Sequence, residues 1–287
     1  MFLNLSITDP INNFVTWLVT NYGGFFHGIT LFLLQYFLVP LEIALRWIPA
    51  WAVLIALGLL GYHATERILP TFLFVACAYL IGCFGLWDKL MLTLALMLVS
   101  TFLCVIIGIP LGILTSRSNR LRAFVLPVLD VMQTMPGFVY LIPVLMLFNL
   151  GKVPAIFATI IYALPPLIRL TDLGIRQVDS EVKEAATAFG TTPWQMLIGV
   201  ELPLARPSIM AGINQTIMMA LAMVVVASMI GARGLGEDVL EGINTLNVGK
   251  GSQAGIAVVI LAIIIDRISQ AYGMDARKRR ILSEKSS

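Results

Sequence analysis

Beyond residue 46, seven long apolar stretches carry no charged side chain: residues 47–65, 68–87, 90–116, 131–151, 153–168, 207–232 and 251–265. A helix needs about 17–25 mainly apolar residues to cross a bilayer. Five of the stretches meet that length directly. The other two, 153–168 and 251–265, reach it a few residues beyond Arg169 and Asp266. Hydrophobic residues make up 59% of the chain and charged ones 12%, against roughly 45–50% and 25% in soluble domains. One water-soluble core cannot hide that much apolar surface, so lipid must solvate much of it. The pattern predicts an all-α membrane protein with about seven transmembrane helices. Residues 47–87 supply two accessory spans, and residues 88–273 form the core domain.

Residues 1–46 are less even and predict an N-terminal amphipathic segment. Asp9-Pro10 opens a helix whose Ile11, Phe14, Val15, Leu18 and Val19 recur at helical spacing. Gly23-Gly24 is expected to break it, leaving a second apolar helix over 25–46 that lies in the outer leaflet. No basic stretch and small-residue cleavage site mark a signal peptide. Cys77, Cys83 and Cys104 all fall inside predicted spans, which gives no disulfide or metal spacing.

Charge fixes the orientation. With an outside N-terminus, 14 of the 19 Lys and Arg residues lie on one side, and only Arg46, Lys89, Lys152, Arg233 and Lys250 on the other. The positive-inside rule makes the richer side cytoplasmic. That side holds residues 172–206 and the tail 274–287, where Arg277-Lys278-Arg279-Arg280 follows the last span. The tail's expected role is to anchor topology.

The polar segment 172–206 reads as two helices meeting at a corner. Asp179 or Ser180 can cap the first, with Glu181 and Glu184 near the positive end of its dipole. Ala185, Ala186 and Ala188 favour helix and add little bulk. Gly190 can end it in the left-handed conformation. Thr192, Pro193 and Gln195 then open the next helix as a capping box. The corner is expected to act as a stiff elbow.

Glu184-Ala185-Ala186, three residues, Gly190, nine residues, then Val200, Glu201 and Leu202-Pro203 resembles the EAA loop of ATP-binding-cassette (ABC) import permeases, with Val200 in place of the usual Ile. Further segments, 108–112, 133–136, 162–169 and 231–236, are similar to permeases of the osmoprotectant importers for glycine betaine, proline betaine and choline. The resemblance covers about residues 88–272, nearly two-thirds of the chain. It implies membership of the binding-protein-dependent inner-membrane component family, with a type I ABC importer permease fold in a bacterial inner membrane. It also implies three partners: an ATPase dimer inside, a substrate-binding protein outside, and a second permease copy. The ATPase would grip the loop through Glu184, Ala185, Ala186, Gly190, Val200, Leu202 and Pro203.

The chain itself has no ATP-binding loop. Gly249-Lys250-Gly251-Ser252 lacks the required glycine five residues before Gly-Lys. It is expected to be no enzyme, to bind neither cofactor nor nucleic acid, and to leave ATP to its partner. Intramembrane polar residues face cavities or partner helices. Asp130, Gln133, Thr134, Asn214 and Gln215 are therefore candidates for the translocation pathway and equally for inter-helix hydrogen bonds. Tyr140 and Tyr162 are single rings rather than an aromatic cage, which places specificity in the receptor. A permease for another solute, such as a sulfonate or amino acid, stays open on the residues alone. An ion-driven carrier is disfavoured by the scarcity of central charges.

Overall fold

The computed structural model describes residues 8–273, so the basic tail lies outside the described residues. Every regular element among them is a helix. The first, α1, runs Thr8–Trp47 without interruption apart from a π-turn at Leu34–Leu38. Gly23-Gly24 does not break it, which corrects the expected division into two pieces. Nothing packs within 4 Å of either glycine. The pair therefore costs only helix propensity, about 1 kcal/mol each, and no competing contact draws the chain into a turn. Most of α1 is exposed, including Phe14, Trp17 and Phe25. Its C-terminal end is anchored by buried Glu42.

Helices α2 (Ala50–Thr65) and α3 (Ile68–Cys83) form a hairpin turned at Glu66, which adopts φ +54°. At 16 residues each they are about 24 Å long, against a hydrocarbon thickness of about 30 Å. Among the described residues, five helices are long and apolar enough to cross a membrane, or six when one bent pair counts as a span. This differs from the expected seven: α2 and α3 fall short of the length, the stretch 131–151 is bent, and α1, expected to lie in the outer leaflet, is itself long and apolar enough to span.

The bent pair is α5 (Asn119–Thr134) and α6 (Leu141–Phe148), joined through a 3₁₀ turn at Gly137–Tyr140. The sequence stretch 131–151 reads as one span, yet the chain turns by 106° inside it. The cause is local. Met135 precedes Pro136 and is pushed to an extended conformation, ψ 134°. Pro136 also lacks the N–H that the Met132 carbonyl would have accepted. The Tyr140 hydroxyl donates to that carbonyl instead.

The core is a sandwich of three long helices: α4 (Trp87–Arg117), α7 (Lys152–Arg176) and α9, which runs Pro193–Ser228. In the centre, α7 passes unbroken through Pro165-Pro166, and both prolines are buried. Its neighbours approach on small residues. A Cβ at Gly112 of α4 would lie 2.5 Å from Thr171, and one at Gly212 of α9 would lie 3.2 Å from the Leu167 backbone. Leu167, Ile168, Ala163 and Ala158 are fully or nearly fully buried between them.

Two further helices complete the bundle. α10 (Leu235–Asn244) turns back into the end of the sandwich where α4 and α7 begin. Its first residues nest against α4, where the Thr93 hydroxyl accepts from the Leu235 amide at 2.9 Å. α11 (Val248–Gly273) then returns along the bundle. Its close crossing with α10 is at Gly242 and Gly251.

Candidate functional site

The corner between α7 and α9 is built as its sequence implies. α8 (Ser180–Ala188) is capped by Asp179, whose carboxylate accepts from the Glu181 amide at 2.9 Å. Gly190 has φ +80° and open space where a side chain would stand. Thr192 and Gln195 form the reciprocal capping box, with Pro193 at the first helical position. The second arm of the elbow is the N-terminal end of α9 itself. A π-turn at Leu197–Glu201 joins it to the membrane portion. Val200, Leu202 and Pro203 therefore belong to this rod, not to a loop. At the other boundary, Asp172 is buried inside α7 and the free segment begins only at Gln177.

Glu184, Ala185 and Gly190 are exposed, Ala186 is half-buried, and two large aromatics flank the corner. Phe189 is 92% exposed and Trp194 68%. Exposed rings on both sides of such a corner make it a candidate contact for another protein. Both rings were legible as large aromatics on either side of the turn glycine, but attention to the small residues passed over them.

Beneath the elbow lie two buried carboxylates. Asp172 is held by Arg122 of α5 at 3.0 Å and by Arg176 at 2.9 Å. Arg176 also donates to Asn119 at 2.8 Å and to the Thr115 carbonyl at 3.0 Å. Glu201 receives Arg117 on both oxygens, and Lys183 of α8 lies 3.6 Å away. Lys183 donates as well to the Ile175 carbonyl at 3.2 Å. Burying an ion costs several kcal/mol, which close opposite charges must offset. Each of these carboxylates has two cations from different parts of the fold.

Asp130, Gln133 and Thr134 share an exposed face of α5. Asp130 pairs with Arg169 of α7, about 10 Å above the inner end of that helix. Thr134 donates to the Asp130 carbonyl at 3.0 Å. Asn214 is engaged elsewhere: its amide donates to Asp266 of α11 at 2.9 Å, and Ser269 donates to its oxygen. Gln215 next to it is exposed.

The family model for the binding-protein-dependent transport system inner membrane component matches residues 105–277. The chain belongs to that family. It is a permease subunit of an ABC importer, a multi-pass protein of the inner membrane with a non-catalytic part in transport. One relative, the glycine betaine/proline betaine transport system permease protein ProW of Escherichia coli (strain K12), is 46% identical over 94% of this chain and 77% of its own length. The glycine betaine transport system permease protein OpuAB of Bacillus subtilis (strain 168) is 43% identical over 96% of this chain and 97% of its own. Among solved structures, the inward-facing MetNI methionine ABC transporter aligns with a TM-score of 0.57 at 24% identity, covering 67% of this chain and 93% of that one. That likeness establishes a type I importer permease fold. Partner ATPase and receptor subunits accompany permeases of this family.

Proposed function

We propose that this permease carries glycine betaine, or a related quaternary ammonium osmolyte such as proline betaine or choline, into the cell by alternating access. The relatives' names supply the solute. The observation that carries the mechanism is the elbow, a small-residue helix and two exposed aromatics fixed to the end of a membrane-length rod. An ATPase dimer on the cytoplasmic face grips Glu184, Ala185, Ala186 and Gly190 together with Phe189 and Trp194. Nucleotide binding draws two such elbows together, one from each copy of a homodimer, and the attached rods open the pathway outward. Hydrolysis by the partner resets them. The pathway follows the face of Asp130, Gln133 and Thr134 together with Gln215, while Asn214 ties α9 to α11. A charge pair such as Asp130 with Arg169 is costly against lipid, so a water-filled route shared with the second copy accounts for its exposure.

The test is uptake of labelled glycine betaine by salt-stressed cells that lack other betaine carriers. Deletion of the gene abolishes uptake, and the wild-type copy restores it. A Glu184→Arg copy does not, although it reaches the membrane. Uptake that survives deletion means that the solute is wrong. Uptake restored by Glu184→Arg means that the elbow is not the docking surface.

A further inference from the structure

Glu201 is the last residue of the π-turn in α9, and only 4% of its side chain is exposed. Single π-turns inside long α-helices recur at functional positions because the extra residue redirects the side chains around it. Here the redirected group is a carboxylate, set where three elements converge. Arg117, the last residue of α4, grips both of its oxygens. Lys183 reaches it from the middle of α8. Among the described residues, no other carboxylate forms an ion pair with a cation of α8. Asp172, the second buried acid nearby, joins α5 to α7 through Arg122 and Arg176 and makes no ion pair with α8.

From this we infer that Glu201 is the positioning residue that makes α8, the base of α9 and the inner end of α4 move as one body. Displacement of the elbow is thereby delivered to two membrane helices rather than to α9 alone. The inference rests on the import reading above and adds the route by which the motor's stroke enters the bundle. The guanidinium fork of Arg117 suits this task because its paired contact fixes orientation as well as distance. Glu201 touches no solute and performs no chemistry. Its charge keeps Lys183 and Arg117, which would otherwise repel, on one centre.

The experiment uses the complete permease–ATPase complex in proteoliposomes with its receptor, and follows betaine uptake and ATP hydrolysis in the same vesicles. Glu201→Gln keeps hydrolysis close to wild type and lowers solute imported per ATP by about tenfold, within the usual range of inter-site couplings. Lys183→Gln and Arg117→Gln, which each cut one arm, lower the same ratio by less. Asp172→Asn is the control for a purely structural acid, and in it uptake and hydrolysis fall together. A second readout needs no solute: the distance between spin labels at Thr187 of α8 and Leu114 of α4, within one copy, with and without nucleotide. In wild type the distance holds constant, and in Glu201→Gln it changes. The proposal is overturned if all three variants keep the wild-type ratio, or lose uptake and hydrolysis in parallel as Asp172→Asn does. A Glu201→Gln complex that fails to assemble leaves the decision to the two cation variants. Wild-type vesicles that import no betaine refute the solute reading, and the label distance still decides the role of Glu201.

Discussion

The two ends of the bundle bury acids in similar number but hold them differently. At the inner end, Asp172 and Glu201 are gripped chiefly by arginines: Arg122 and Arg176 on one, Arg117 on the other. At the outer end the cations are lysines. Glu42 takes Lys152 on both oxygens at 2.6 and 2.7 Å, and Asp238 takes Lys89 at 2.6 Å and Lys250 at 3.5 Å. A guanidinium is a planar fork that fixes the angle of its partner, whereas an ammonium is a point charge that swivels on a flexible stem. Asp238 also keeps one buried oxygen without a partner. The inner end is thus cross-braced, as the proposed docking of a motor there requires. The outer end is tethered in a way that allows rearrangement.

The largest expected effect that sharpens this contrast is at the inner end. Asp172→Asn leaves two arginines facing a neutral amide and should lower stability by about 2–3 kcal/mol. That is somewhat below the 3–5 of a fully enclosed pair, because Arg122 is 39% exposed and can turn to water. Thermal unfolding of the detergent-purified complex measures it, and an unchanged midpoint would break the idea of a braced inner end. Next comes Gly236→Ala at the outer end. The added Cβ would stand 2.5 Å from the Val224 carbonyl oxygen, at a cost of about 1–3 kcal/mol. The same melt should show that backbone packing, more than charge, holds α10 in place. The smallest effect belongs to Asp238→Asn, about 1 kcal/mol or less, since flexible lysines can swing away to water and one of its two buried oxygens has no partner to lose. A loss larger than that for Asp172→Asn would reverse the comparison.

Much of the architecture was readable in the residues, for reasons that also explain the failures. Charge-free runs located the helices because lipid tolerates little else. The elbow was legible to the residue, through Asp179, Gly190 and the Thr192–Gln195 box, because caps and left-handed turns depend on local chemistry. The bend at Met135-Pro136 was equally local, but a count of uncharged residues cannot register it. The fate of Gly23-Gly24 depended on what packs around it, and nothing does. Asp172 was assigned to the loop because charges near a membrane end usually face water. Its partner Arg122 lies 50 residues away, which no window along the chain contains. The i,i+4 pairing with Arg176 was within reach of a local reading. Glu201 stood inside the recognised spacing as an unconstrained position, and only the convergence of Arg117 and Lys183 gives it meaning.

The 36 residues of α9 make a rod about 54 Å long, and it meets α7 tightly through its middle, at Ser208 against Gly174 and at Gly212 against Leu167. From Gly212 it is about 29 Å to the elbow at Pro193 and about 24 Å to the outer tip at Ser228. A beam pivoted close to its centre swings its two ends in opposite directions by nearly equal amounts. Under the proposed stroke, converging elbows inside therefore mean diverging tips outside, with a mechanical advantage close to one. The small-residue contacts between α7 and α9 thus serve as a fulcrum.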